Sequence, residues 1–525
     1  MAKIGTSRKF KSYSPQQGLL LPPSLDELIG EKHLVRVVNE VVEAMDLTDL
    51  MNLYLGGGAT AYHPRMLLKV LLYAYSVKIY TGRKIAQALN QDIHFMWLSG
   101  MSHPDFRTIN NFRSSKAKEV IEVLFKEMLE FLMAQSYIKM ENYFCDGSTF
   151  RADANQHKMV WKKNAERYKA TTEQKCNDLF KAIDQLNIEE DHQCGKDDLA
   201  ETGASTAVTK EAIKAQIERL NKHLKKVTDK RAKRKAATLK KKLYEADSKI
   251  EKYESQIINA GKRSGYNRTD KDASAMKMKN KVEILPAYNV MAGSEQQFIT
   301  GISVHQNTND GICFKDHLEQ VLPQQPFKPE NIIADSIFGT EQNYELLAQH
   351  EIENYMKFPL YHKEQTRSFQ KNAFLKENFP YDVLTDSYQC PAGNRLLFRH
   401  KHKQNHKRTG YQSVIKEYSC ADCSGCPFYT QCCKATKQQY RSIQINEKLE
   451  NYKQQARENL GTEKGGELKR QRGIEIETCF GDIKHNMGFR RFHLRGLEKV
   501  QTEINLVAIA HNIRKISIQR QRKAS

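Results

Sequence analysis

The chain of 525 residues is 39% hydrophobic and 28% charged, and its formal net charge is +21. This length exceeds what one ordinary hydrophobic core organises, so we expect several domains. No apolar run reaches the ~20 residues of a membrane span, and the basic N-terminus has no apolar segment like that of a signal peptide. The charge excess indicates a polyanionic partner, with nucleic acid the first candidate and a membrane surface the second. We therefore expect a cytoplasmic protein.

Residues 20–130 have a helical pattern that is interrupted by turn signals. The interruptions fall at His63-Pro64, Thr81-Gly82, Ser99-Gly100 and His103-Pro104. The longest apolar stretch, residues 67–77, predicts a core helix. The segment after Pro104 has two interpretations. It is either a DNA recognition helix whose Asn110, Asn111 and Arg113 reach base edges, or part of an ordinary helical bundle with a polar face.

Two short apolar stretches each end in an aspartate before a turn. The first begins at Asn142 and contains Asp146, and the second begins at Asn331 and contains Asp335. A carboxylate at the end of a buried strand is half desolvated and needs a donor, a basic residue or a metal ion as partner. The alternative for Asp335 is a cap on the helix that follows, TEQNYELLAQ. In one basic chain the two aspartates are a candidate pair.

Between residues 157 and 260 the pattern is that of long helices with heptad-like apolar stripes. We predict two helices that fold back as an antiparallel hairpin. The second would have about 50 residues with a phase slip in its stripe, and would span about 75 Å. Its lysine-rich middle, residues 229–242, is either a solvated helix face or an arm that lies along DNA phosphates.

Strand signals return after residue 280, with a hairpin predicted to turn at Gly293-Ser294. The predicted order is strand, strand, strand, helix, strand, helix, strand, which is the order of a ribonuclease H-like fold. In that fold the first and fourth strands are neighbours, so Asp146 and Asp335 would lie side by side. The fold still needs an acid from a late helix. Glu477 supplies it, since Lys484 shares its helix face seven residues later.

The cysteines cluster between residues 359 and 438. Two Cys-x-x-Cys steps and a distant cysteine have the spacing of metal ligands. Structural zinc is the main interpretation, and an iron–sulfur cluster or free thiols are the alternatives. A four-ligand site leaves one or more of the set unused, with Cys433 the expected spare and Cys432 a replacement. The expected ligands are Cys390, Cys420, Cys423, Cys426 and Cys432.

Together these motifs resemble a known family, the bacterial insertion-sequence transposases of the DDE type, and within it the eleven-eighty-two type. The resemblance covers nearly the whole chain. It rests on YHPRMLLKVLLYAYSVKIYTGRKIAQAL, HPDFRTINNFR, DGSTFRADAN, ADSIFGTEQNYELL, CADCSGCP and ETCFGDIKHNMGFRRFHLRGLEKV. One departure is Ser148, followed by Phe150 and Arg151, where relatives often carry a Thr-Lys pair.

The resemblance implies that Asp146, Asp335 and Glu477 form one catalytic site that cleaves DNA and transfers a strand. Carboxylates suit Mg²⁺ or Mn²⁺, and two such ions activate the attacking hydroxyl and stabilise the leaving oxygen. The implied partners are double-stranded DNA at the element ends and target, and a second copy or larger assembly of this chain at the bacterial nucleoid. The expected DNA contacts of the late helix and the loop after it are Lys484, Arg490, Arg491 and Arg495.

Two other functions are compatible with these motifs. A junction resolvase or ribonuclease would share the acidic triad without needing this much DNA-binding apparatus. A catalytically inactive, zinc-bearing DNA-binding protein derived from a transposase would keep the cysteines and the basic surfaces.

The fold prediction is an α/β protein with a ribonuclease H-like core, an N-terminal helical domain and two insertions. The predicted segments are a helical DNA-binding domain over 1–135, the core in parts over 136–156, 263–360 and 439–525, a helical hairpin over 157–262, and a cysteine-rich metal-binding insertion over 361–438.

Overall fold

A computed structural model describes residues 24–54, 60–194, 209–226, 230–278, 283–433 and 440–523. The chain divides into two compact units. The first comprises Met1–Ala117 and Ile513–Ser525, and the second comprises Lys118–Asn512. The predicted N-terminal domain extends to residue 135, whereas residues 118–134 belong to the second unit. In the described residues no helix is both long and apolar enough to cross a membrane.

The first unit contains short helices that begin and end at the predicted turn signals. His63 caps a helix whose first residue is Pro64, and Gly100 ends another with a left-handed φ of 54°. The predicted core helix is confirmed, since every residue from Leu67 to Ser76 is buried. The helices are α1 (Leu34–Ala44), α2 (Thr48–Asn52), α3 (Pro64–Ser76), α4 (Gly82–Ala88), α5 (Ile93–Ser99) and α6 (Phe106–Asn111), followed by a π-helical turn (Phe112–Lys116). The next helix, α7 (Ala117–Ala134), belongs to the second unit from Lys118 onward.

The second unit is built on a mixed sheet. Its central strands run in the order β6-β5-β1-β7-β8, in which β5 is antiparallel to both β6 and β1, and β1, β7 and β8 are parallel. This order is compatible with the predicted ribonuclease H-like core. The strands are β1 (Asn142–Arg151), β2 (Met159–Trp161), β3 (Gly265–Asn267), β4 (Ser274–Lys277), β5 (Ile284–Glu295), β6 (Phe298–His305), β7 (Asn331–Ala334) and β8 (Glu353–Asn354).

The β5–β6 hairpin turns at Gln296 and Gln297, which have φ values of 52° and 60°. The predicted turn at Gly293-Ser294 is therefore wrong. Gly293 lies within β5, where an added Cβ would come within 1.8 Å of the Tyr143 ring. A glycine is therefore needed at this position because the Tyr143 ring packs against the backbone, and not because the chain turns here.

The helical insertion has three described helices: α8 (Lys162–Cys194), α9 (Lys210–Lys226) and α10 (Lys230–Ala260). Lys210 of α9 lies 3.5 Å from Glu254 of α10, which also binds Lys169 of α8 at 3.1 Å. The start of α9 therefore packs beside the end of α10, so these two helices are antiparallel. The prediction of one second helix of about 50 residues is wrong. The predicted phase slip lies between Val227 and Leu239, and the first part of that interval, residues 227–229, is outside the described residues.

The remaining elements complete the core and form a second, antiparallel sheet of order β13-β12-β11-β10-β9 in the cysteine-rich segment. They are α11 (Asp310–Val321), α12 (Glu341–Gln349), α13 (Tyr361–Glu364), α14 (Arg367–Gln370), β9 (Tyr381–Asp382), β10 (Ser387–Gln389), β11 (Arg395–Asn405), β12 (Gln412–Cys420), α15 (Tyr429–Cys432), β13 (Ser442–Ile445), α16 (Glu447–Gly461), α17 (Glu463–Gly481) and α18 (Leu497–Lys523).

Candidate active site and metal-binding residues

Asp146 and Asp335 occupy equivalent positions on neighbouring strands. The parallel pairing of β1 with β7 ends with Cys145 opposite Ala334, and each aspartate is the next residue along its chain. Both are half-buried. The structure therefore brings together two carboxylates that lie 189 positions apart in the sequence, as the predicted strand order requires.

Asp335 does not cap the helix that follows it. The cap of α12 is Thr340, whose side chain accepts a hydrogen bond from the backbone nitrogen of Asn343. Asp335 instead precedes a single 3-10 turn, Ser336–Phe338, and makes no capping hydrogen bond with its side chain there. The helix-cap interpretation of Asp335 is therefore wrong.

Three acids lie near the end of α17, and their environments differ. Glu475 is buried, and its Oε2 accepts a hydrogen bond from the backbone nitrogen of Gln297 at 2.5 Å. Asp482 Oδ2 lies 2.8 Å from Nδ1 of His511. Glu477, in contrast, has a side chain that is 59% exposed. Glu475 and Asp482 are thus used inside the protein, which leaves Glu477 as the acid that is accessible to a ligand.

The helix that carries Glu477 packs against β1, β5 and β7. Lys484 anchors it, since its ammonium group donates to Ser148 Oγ at 2.6 Å and to the Thr149 carbonyl at 2.9 Å. The same nitrogen lies 4.4 Å from the centre of the Phe150 ring. The structure therefore gives Lys484 an internal role in place of the predicted DNA contact, because its charge is bound by β1.

Two basic residues that the sequence analysis missed lie between the candidate acids. Lys357 lies at the same sheet edge as Asp335, three residues after β8. Burial and the nearby Arg472 lower the pKa of Lys357, while Asp335 acts in the opposite direction. Arg472 Nη2 in turn lies 3.6 Å from Glu477 Oε1. Lys357 follows β8, which is parallel to β7. This position after a neighbouring parallel strand is the sequence feature from which its closeness to Asp335 could have been predicted.

The arginines after α17 are exposed, and each already has a partner within the protein. Arg491 and Arg495 both form ion pairs with Asp153, Arg495 at 2.8 Å. Arg490 donates to the Lys484 carbonyl at 2.9 Å. Arg491 and Arg495 line an open, polar cleft. Its other lining residues include three that carry or can carry positive charge, namely Arg151, His157 and Lys158.

Arg113 does not lie on the surface of the first unit. It is 4% exposed, and its Nη1 donates to the Tyr75 hydroxyl at 3.0 Å and to the Tyr80 carbonyl at 2.7 Å. Its Nη2 donates to Asn110 Oδ1 at 3.2 Å, so Asn110 is also used internally. The predicted base contact by Arg113 is therefore corrected to a structural role. Of the three predicted side chains, Asn111 is the exposed one.

All the predicted cysteine ligands line one small cavity, together with Cys433 and Arg441. Gly393 and Gly425 have left-handed φ values of 85° and 74°, so each of the turns after Cys390 and Cys423 relies on a glycine. The backbone nitrogen of Arg441 donates to Cys423 Sγ at 3.4 Å. Burial, with Cys423 and Cys390 nearby, raises the pKa of Cys420 to about 12. The Cys420 thiol is therefore protonated near neutral pH unless a cation binds.

Two family models match parts of the chain. The model described as Transposase DDE domain matches residues 389–517, and the model described as Transposase domain (DUF772) matches residues 23–115. The first match includes Glu477 but neither Asp146 nor Asp335. No curated protein matches the chain. The two matches support an insertion-sequence DDE transposase, with a DNA substrate and a divalent-metal requirement as general properties of such enzymes.

Proposed function

We propose that this protein binds the ends of an insertion sequence of the eleven-eighty-two type and catalyses DNA cleavage and strand transfer with Asp146, Asp335 and Glu477. The observation that carries the proposal is the register of β1 and β7, which gives two carboxylates to one end of the sheet. Glu477 is accessible on α17, which packs against the same strands.

The three carboxylates fit hard divalent cations, because Mg²⁺ and Mn²⁺ prefer oxygen ligands. Bound ions of this kind supply activation of a hydroxyl nucleophile and stabilisation of the leaving oxygen. The chain's own contribution is to hold the acids. The sheet fixes Asp146 and Asp335, and Lys484 anchors the helix of Glu477 to β1. Lys357 and Arg472 offset the negative charge of the acids before a metal binds, and offer positive charge to a phosphate afterwards.

The cysteine cavity fits a structural Zn²⁺ held by four of the five expected ligands: Cys390, Cys420, Cys423, Cys426 and Cys432. Their thiols would be deprotonated on binding, as zinc requires. Cys433 remains the expected spare, since its thiol donates to the Tyr440 carbonyl at 3.6 Å.

For DNA binding we propose an exposed basic surface on α4 and α6 in place of Arg113. Arg83 and Arg107 are exposed, and both guanidinium groups stack on the Phe106 ring, at 5.2 and 5.8 Å from its centre. The exposed Lys233, Arg234 and Lys235 of α10 form a second surface for binding phosphates.

Cleavage tests the catalytic assignment. Wild-type protein is incubated with Mg²⁺ or Mn²⁺ and a duplex that carries the DNA flanking the gene. We expect Asp335→Asn and Glu477→Gln to lose nearly all cleavage while binding the duplex as wild type does. Glu458→Gln, at an exposed acid of α16, is the matched control and should cleave normally. Full cleavage by either catalytic variant would refute the assignment. Wild-type binding without cleavage would favour the inactive DNA-binding protein.

Salt dependence tests the two binding surfaces. Replacing Lys233, Arg234 and Lys235 by glutamine should lower affinity for all DNA. The slope of log K against log salt should also become shallower, by about one for each phosphate that these side chains neutralise in wild type. Arg107→Ala should instead reduce the preference for end DNA over other DNA. An unchanged slope in the triple variant would make the helical insertion a structural element only.

A further inference from the structure

The long β11–β12 hairpin carries two histidines and a glutamate on one face. His400 and His402 are two residues apart on β11, so their side chains point to the same side. Glu417 of β12 pairs directly with His400 in the register, and His400 Nε2 lies 3.9 Å from Glu417 Oε2. The two imidazole rings have centroids 5.5 Å apart. One ligand atom from each of the three residues lies within 4.8 Å of the other two.

We propose that His400, His402 and Glu417 form a Zn²⁺ site separate from the cysteine cavity. Two imidazoles and one carboxylate are a donor set of catalytic and open zinc sites, in which the remaining position holds water or another ligand. Imidazole ligands favour a borderline metal such as zinc over Mg²⁺, so this site does not duplicate the proposed site of the three acids.

His400 is exposed, whereas the environments of Glu417 and His402 favour a ligand over simple solvation. The Glu417 side chain is 20% exposed. Nδ1 of His402 is buried and has no hydrogen-bond partner among the residues that the structure describes. Coordination through that atom would satisfy it. The two neighbouring lysines, Lys401 and Lys416, pair with each other at the intervening position, and strand alternation places them on the opposite face.

The position of this site gives it a structural consequence. It lies midway along the hairpin, between Cys420, which ends β12 at the cysteine cavity, and the hairpin tip. Near the tip, Tyr411 donates to Glu345 and Ser413 donates to Glu341, both on α12. A metal that joins β11 to β12 at mid-length would therefore stiffen the segment that contacts α12, the helix that follows Asp335.

Zinc stoichiometry tests the proposal without any activity assay. Full-length protein purified with its cysteine metal in place is dialysed against micromolar free Zn²⁺ and analysed for zinc. Wild type should hold one zinc more per chain than His402→Ala or His400→Gln. Glu417→Gln should bind this zinc about tenfold or more weakly, since one of three protein ligands is lost. His406→Ala is the matched control, because His406 is on the same hairpin but bonds Thr409.

A second measurement separates loss of a ligand from loss of the fold. Hydrogen exchange of residues 395–420 should slow when Zn²⁺ is added to wild type and to His406→Ala, and should not change in His402→Ala. A Cys423→Ser variant should lose a different zinc, so that its effect adds to that of His402→Ala. Equal zinc content in wild type, His402→Ala and Glu417→Gln would overturn the proposal, as would a zinc effect on exchange that persists in both variants.

Discussion

The interaction between Asp482 and His511 should make the stability of the second unit depend on pH. His511 is fully enclosed, and burial by itself would lower its pKa. Hydrogen bonds to Asp482 and Cys479 outweigh burial and raise the pKa of His511 to about 9, from an ordinary value of 6.5. The interaction joins the end of α17, the helix of Glu477, to α18.

The magnitude follows from this pKa. At about 1.4 kcal/mol per pKa unit, the rise from 6.5 to about 9 is worth about 3 kcal/mol when His511 is charged. Because the folded-state pKa is raised, the folded protein holds a proton that the unfolded chain has released between these two values. The contribution is therefore fully present below about pH 6.5, and is lost as the pH rises through about 9.

Urea unfolding followed by circular dichroism from pH 6 to pH 10 measures this dependence. Asp482→Asn removes the negative partner, and should lower the free energy of unfolding by about 3 kcal/mol at pH 6.5. The difference from wild type should shrink as the pH rises through 9. Asp178→Asn, at an exposed aspartate of α8, should match wild type throughout. A deficit in Asp482→Asn that is constant across this pH range would refute the reasoning.

Three further substitutions give distinct outcomes. Gly293→Ala should destabilise the core by about 1–3 kcal/mol or more, measured by urea unfolding, because the new Cβ overlaps the Tyr143 ring. Arg113→Ala should lower the melting temperature, since the Tyr75 hydroxyl loses its hydrogen-bond donor and the missing side chain leaves a buried cavity. The folded fraction of this variant should show an unchanged preference among DNA sequences in a binding assay. Cys423→Ser should release about one zinc per chain by elemental analysis and increase proteolysis of residues 361–438. Unchanged stability, altered sequence preference and retained zinc, respectively, would contradict these expectations.

The pairing of the strands that carry Asp146 and Asp335 was predictable from two features of the sequence. Each aspartate follows an apolar run that ends at a turn, and the order of strands and helices along the chain indicates which strands become neighbours. The prediction of Glu477 came from the helix face that it shares with Lys484. The structure gives the two other acids near the end of α17, Glu475 and Asp482, internal partners.

Other features depend on tertiary interactions that a local pattern does not record. A shifted heptad stripe is the same pattern whether one helix continues or two helices fold back, and the pairing of Lys210 with Glu254 decides between them. Arg113 has the polarity of a surface residue, and its burial follows from Tyr75 and Tyr80 more than thirty positions earlier. Gly293 has turn propensity, but Tyr143 requires it within a strand.

The assignment of Ile513–Ser525 to the first unit has a consequence for synthesis on the ribosome. Arg520 pairs with Glu40, and Arg514 donates to the Ser76 carbonyl, so the first unit depends on residues more than 400 positions after Ser76. The ribosome must therefore translate past residue 513 before this unit can be completed. A product that terminates before residue 513 therefore lacks part of this unit, and one that stops before residue 477 also lacks the third acid of the proposed site. We therefore expect such fragments to bind DNA poorly and not to compete with the longer chain.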